Sequence, residues 1–181
     1  MVGPSIGKNW VIFDTCSISK ITIIGNATPI ISPILDKIGS FTPVITSLIR
    51  LEYLRKANSK NELEKFKEYL SLNYSEINLS SREDRYDIYQ LSSEIACVCK
   101  YIRPDHYKHI QITDFIHGGL LRRYPQNLFL LTFDINDFSE PIFKILHHES
   151  IKINKNLEIW ALYRFNKEGF DNLYEKFKKA K

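Results

Sequence analysis

Leu128-Phe129-Leu130-Leu131-Thr132-Phe133-Asp134 is an apolar block that stops at an acid, and its reading decides the fold. Four consecutive apolar residues bounded by turn formers read as a strand buried on both faces. Trp10-Val11-Ile12-Phe13-Asp14 repeats the arrangement near the other end of the chain. Between them the apolar period changes to 3.6. Ile88, Leu91, Ile95, Cys99 and Ile102 form one stripe behind Ser81, a capping residue, so a long helix is expected to about residue 102, ending before Pro104. Residues 29–38, 61–72 and 113–124 read as further helices, and Thr46 or Ser47 caps another that runs to about Ala57. Short strands are expected at 42–45 and 76–79. After a loop over 133–138 we expect a short helix, a strand pair near Ile151 and over 158–165, and a helix from about Glu168. Strands separated by helices require crossover connections. The expected class is therefore α/β, a three-layer α/β/α sandwich with a mainly parallel central sheet.

The 181 residues are read as one domain, 1–181, with a basic strand and helix extension at about 150–181. A hydrophobic fraction of 44 % supplies a core without disulfides, and only 14 residues are Gly or Pro, which excludes collagen-like and disordered classes. No apolar stretch approaches the roughly 18 residues that span a bilayer. The first fourteen residues hold no apolar run of signal-peptide length, so a soluble cytoplasmic protein with no membrane partner is expected. Three cysteines leave one unpaired under any pairing, and Cys97 and Cys99, two apart on a helix, make a poor metal pair. Buried reduced thiols are the expectation. The net charge of +4 is carried by the tail: residues 1–140 hold 16 basic and 16 acidic side chains, residues 141–181 hold 9 and 5.

In parallel sheets, sites form outside the carboxyl ends of strands. Asp14 ends the first strand, and Asp134 lies two residues past another, with Asp137 one short loop further on. Two more acids sit on otherwise apolar helices: Glu52 in Leu48-Ile49-Arg50-Leu51-Glu52 and Asp114 in Ile112-Thr113-Asp114-Phe115-Ile116. Each has an ordinary explanation. Asp14 suits a helix cap, Asp134 an Asx turn, Glu52 a pair with Lys56, and Asp114 a helix dipole. Brought into one pocket, however, the four would repel one another unless a cation neutralised them. Mg²⁺ or Mn²⁺ suits that donor set, and such an ion can clamp a phosphodiester.

In chain order these segments resemble the PIN domain, a metal-dependent ribonuclease family that includes the VapC-type toxins of toxin–antitoxin pairs. Val11-Ile12-Phe13-Asp14-Thr15-Cys16 resembles its first strand and leading acid, and Ile45-Thr46-Ser47-Leu48-Ile49-Arg50-Leu51-Glu52 its Thr-Ser helix with Glu. Ile112-Thr113-Asp114-Phe115-Ile116-His117-Gly118-Gly119 is similar to its third segment, although Ala is commoner where this chain has His117-Gly118-Gly119. Leu131-Thr132-Phe133-Asp134-Ile135-Asn136-Asp137-Phe138 is similar to its fourth. The resemblance spans about residues 10–138. It implies Asp14, Glu52, Asp114 and Asp134 as catalytic, metal-binding acids, with Thr15, Ser47, Thr132 and Asp137 in support. It further implies Mg²⁺ or Mn²⁺ as cofactor, RNA as substrate, an antitoxin protein and a homodimer as partners. A stand-alone PIN protein fits the same residues.

Arg122 and Arg123 close the Asp114 helix, and Lys176, Lys178 and Lys179 crowd the tail; both sets are candidates for RNA phosphate contact, or else ordinary solvated helix ends. His147-His148 reads as a surface loop pair. Two other readings remain open: a catalytically inactive PIN-like module that binds RNA or protein, and a phosphotransfer protein of the receiver or haloacid dehalogenase kind. The latter would favour an acid where this chain has Cys16.

Overall fold

Strand β1 (Asn9–Phe13) sits inside the sheet, with Trp10, Val11, Ile12 and Phe13 all at most 3 % exposed, as a strand covered on both faces requires. The computed structural model describes residues 8–24, 28–77, 81–153 and 156–180. β1 pairs in parallel with β2 (Phe41–Thr46) on one side and β4 (Leu128–Thr132) on the other, Ile12 lying opposite both Val44 and Leu130. β3 (Ser75–Ile77) extends the parallel part beyond β2. β6 (Asn156–Phe165) then pairs antiparallel with β4, and β5 (Phe143–Ile153) antiparallel with β6. The sheet order is β3-β2-β1-β4-β6-β5, six strands in a mostly parallel α/β arrangement.

The helices are α1 (Thr15–Ile24), α2 (Thr28–Leu35), α3 (Ser47–Leu54), α4 (Lys60–Asn73), α5 (Arg82–Ile102), α6 (Pro104–Tyr107), α7 (Ile112–Arg123) and α8 (Lys167–Lys179). α3 contacts α1 and α4, whereas α5 contacts α6, α7 and α8. The chain steps from β1 to β2 to β3 in one direction and returns past β1 to reach β4. Right-handed crossovers therefore place α1–α4 and α5–α7 on opposite faces, compatible with a three-layer sandwich. None of the described helices is long and apolar enough to cross a membrane.

Local chemistry accounts for the helix starts. Thr46, Ser59 and Ser81 each accept a backbone N–H from the first turn of α3, α4 and α5. α7 lies close against α5 because residue 119 is glycine: a Cβ there would meet Ser92 Oγ at 2.2 Å and the Ile88 carbonyl at 2.8 Å.

Some expectations are corrected. α1 was not anticipated as a helix, since Thr15-Cys16-Ser17-Ile18-Ser19-Lys20-Ile21-Thr22 is rich in β-branched residues of low helix propensity. Asp14 caps it, Ile18 fills the core, and the Ser19 and Thr22 hydroxyls bond back to the carbonyls of Thr15 and Ile18. No helix lies between β4 and β5. Residues 139–142 instead turn, with the amides of Ile142 and Phe143 donating to the Ser139 carbonyl, and β5 begins at once. His147 and His148 are thus strand residues, and His147 Nε2 lies 2.8 Å from Glu149 Oε1. The 76–79 strand is described to Ile77; residues 78–80 lie outside the described residues. Of the three free thiols only Cys99 is buried, Cys97 being exposed and Cys16 partly so, because positions two apart on α5 face different ways.

Candidate functional site

β1 and β4 are neighbours, so the acids after them leave the same edge of the sheet. Asp14, Thr15, Cys16, Glu52, Gln111, Thr113, Asp114, His117, Asp134 and Asp137 line one cleft of about 90 Å³. Liquid water occupies about 30 Å³ per molecule. The space admits a few waters with a small cation.

Asp14 follows β1 and is only 8 % exposed. Its Oδ1 accepts the Ser17 amide at 2.7 Å and its Oδ2 the Cys16 thiol at 3.0 Å, so the acid caps α1 while it lines the cleft. Burial nevertheless raises its pKa, against the opposing pull of those hydrogen bonds. Burial first, and then the charge of Asp14, push the Cys16 thiol up, so it stays protonated.

Glu52 projects from α3 and accepts the Thr15 hydroxyl at 2.5 Å. The pairing with Lys56 expected from i,i+4 spacing is replaced, because the Lys56 ammonium donates to Ser19 Oγ at 2.5 Å. Asp114 stands in the first turn of α7 and accepts the Gln111 amide at 3.2 Å, as a helix-opening acid does. Its pKa is raised to about 7 by burial, then by the charges of Asp137, Asp14 and Asp134.

Thr132, fully buried at the end of β4, takes the Asp134 amide on its hydroxyl at 2.9 Å, and that oxygen lies 3.7 Å from Cys16 Sγ. The loop after β4 is thereby bent by the threonine rather than by an Asx turn of Asp134. Asp137, read from sequence as a supporting residue, lies in the cleft as a fifth acid, and its pKa is raised by burial and by Asp134. His106 of α6 opposes that rise from 3.4 Å away.

The remaining candidates lie elsewhere. Ser47 is exposed and lines a different cleft with Thr46, Glu76 and Tyr89. Arg122 is eight residues beyond Asp114, about 12 Å along the α7 axis, and is paired with Glu94 at 2.7 Å beneath the Phe170 ring. Arg123 lies 3.7 Å from Asp87. Lys176, Lys178 and Lys179 are exposed on the last turn of α8, Lys178 paired with Glu175. Cys16, Gln111, Thr113 and His117 were not anticipated as lining residues. For His117 the signal existed, since it lies three residues past Asp114 and so on the same helical face.

No group of three or more His, Cys, Asp or Glu side chains among the described residues is arranged to hold a metal ion. The donor chemistry still fits Mg²⁺ or Mn²⁺, which take one or two carboxylates directly and fill their other positions with water. It does not make the closed set of thiolate and imidazole donors that a structural zinc site takes. The Asp114 carboxyl, held up to about 7 by burial and by its neighbours' charges, is the kind of group that a nearby cation relieves. The chain matches no protein-family model, no curated protein and no solved structure. The functional reading rests on the residues themselves.

Proposed function

We propose that the protein is a PIN-like ribonuclease that hydrolyses phosphodiester bonds of single-stranded RNA with Mg²⁺ or Mn²⁺. One observation carries the reading: Asp14, Glu52, Asp114, Asp134 and Asp137, which come from four separate stretches of chain, line one small cleft at the carboxyl ends of β1 and β4. Asp14 is buried, Glu52, Asp114 and Asp137 are half-buried and Asp134 is exposed; carboxylates gathered in this way repel one another, and a cation relieves them. When bound, such an ion supplies positive charge to the phosphodiester oxygens and acidifies a water molecule. The chain's part is to place the donors: Ser17 and Cys16 orient Asp14, Thr15 orients Glu52, and the Gln111 amide orients Asp114. Water, rather than a side chain, is the nucleophile, since the nearby thiol is held protonated. The toxin role, an antitoxin partner, homodimerisation and a cytoplasmic location belong to the same proposal and draw on sequence resemblance and composition.

A second reading is a catalytically inactive PIN-like module that binds RNA or protein, and the lack of a ready three-donor arrangement favours it. One experiment separates them. End-labelled unstructured RNA is incubated with the purified chain, Mn²⁺ or Mg²⁺, and then with excess chelator. The nuclease cuts with metal, stops in chelator and is lost in Asp14→Asn, which keeps the oxygen that caps α1. Binding without cleavage supports the second reading, and cleavage undiminished in chelator refutes the metal mechanism.

A further inference from the structure

His117 lies one turn beyond Asp114 on α7 and lines the acidic cleft while only 2 % exposed. Neither Nδ1 nor Nε2 has a hydrogen-bond partner among the described residues. A neutral imidazole carries one N–H donor and one lone pair, and buried polar groups are nearly always satisfied. Its α7 neighbours Ile116 and Leu120 are buried and apolar, so packing alone asks for no polar ring here. Burial also lowers the His117 pKa to about 4, so the ring keeps a free lone pair at neutral pH. Of the side chains lining the cleft, His117 alone offers such a nitrogen; the rest present carboxylates, hydroxyls, an amide and a thiol.

We infer that His117 is a nitrogen ligand that tunes the acidic cleft toward Mn²⁺ and later first-row metals over Mg²⁺. The inference rests on the metal reading of the cleft and adds a donor to it. Mg²⁺ selects hard oxygen donors, whereas imidazole suits transition ions. One imidazole and one carboxylate suffice for an ion that completes its shell with water. One of the two unsatisfied nitrogens gains its partner in the same step.

The test is pulsed electron paramagnetic resonance on the tag-free full chain loaded with Mn²⁺, alongside calorimetric titration with Mn²⁺ and with Mg²⁺. A directly bound imidazole modulates the spin echo through ¹⁴N. The expected result is ¹⁴N modulation in the wild type that changes in a chain carrying ¹⁵N-histidine and disappears in His117→Gln. His117→Gln should also weaken Mn²⁺ by at least about tenfold, the lower end of what even outer-sphere partners cost, and leave Mg²⁺ nearly unchanged. The ¹⁵N comparison uses wild-type sequence, so it stands even if the variant misfolds. Mn²⁺ binding without histidine modulation overturns the inference, as does a signal that survives in His117→Gln and vanishes in His106→Gln. In both cases the metal reading is retained if Asp114→Asn weakens both ions. A wild type that binds neither ion overturns the metal reading and the inference together.

Discussion

Asp114→Asn should stabilise the protein in chelator at pH 8, and by roughly a third as much at pH 5, which lies in the lower part of the window between 3.8 and about 7. The Asp114 carboxyl moves from 3.8 to about 7 on folding, through burial and then the charges of Asp137, Asp14 and Asp134. Were it to titrate alone, its ionised form would be disfavoured by about 4 kcal/mol in the folded state. Asp114 is partly exposed and shares its titration with those neighbours, so we expect about half of that, about 2 kcal/mol. Between pH 3.8 and 7 the folded chain holds a proton that the unfolded chain has released, so stability falls as pH rises through that window. The groups facing Asp114 are Asp14 at the end of β1 and Asp134 and Asp137 beyond β4, with His106 of α6 moderating Asp137. Asparagine removes the charge and keeps an oxygen for the Gln111 amide, so only the favourable dipole contribution, about 0.3–1 kcal/mol, is lost. The net gain is then about 1–1.7 kcal/mol, which for a chain of this length corresponds to roughly 2–7 °C in Tm. Thermal melts of both proteins in chelator at pH 5 and pH 8 measure it. Added Mn²⁺ at a hundredfold excess over Kd should then raise the wild type by about 2.7 kcal/mol and the variant by much less. A variant less stable than wild type at pH 8 would refute the reasoning, for it would mean that Asp114 serves the helix rather than strains the cleft.

Three further outcomes are expected. Thr15→Val removes the hydroxyl that holds Glu52 and should weaken Mn²⁺ binding by about 10–100-fold with little change in melting, read by calorimetry; unchanged affinity would show that Glu52 needs no such support. Gly119→Ala drives a methyl into Ser92 Oγ and the Ile88 carbonyl, so chemical denaturation should show a loss of about 1–3 kcal/mol, and a neutral result would mean that α5 and α7 separate freely. Replacing Lys176, Lys178 and Lys179 by Gln should flatten the salt dependence of RNA binding, each lost phosphate contact lowering the log–log slope by about 0.7, while turnover at saturating RNA stays the same; an unaltered slope places α8 off the RNA path.

Much of this molecule is legible in local sequence. The short apolar runs at β1 and β4, bounded by turn formers, read as buried strands, and the stripe from Ile88 to Ile102 reads as a helix. The acids at the ends of those strands stand out because a short range of chain suffices to mark them. α1 was not legible, since its β-branched residues disfavour a helix that the Asp14 cap and the burial of Ile18 then enforce. Nor was the start of β5, where Phe143 is held by Phe165 at the far end of β6 and no local pattern marks the pairing.

The sequence by itself determined which residues carry charge at strand ends and which positions are apolar, because both are set within a few residues of chain. Tertiary structure alone decided that β4 lies beside β1, so that Asp14 and Asp134 open onto one cleft. It likewise promoted Asp137 to a fifth wall of that cleft, gave Arg122 to Glu94 and Phe170, and buried His117 with its nitrogens unmet. Each of these depends on contacts between segments far apart in the chain, and periodicity, which is local, does not encode which segments meet.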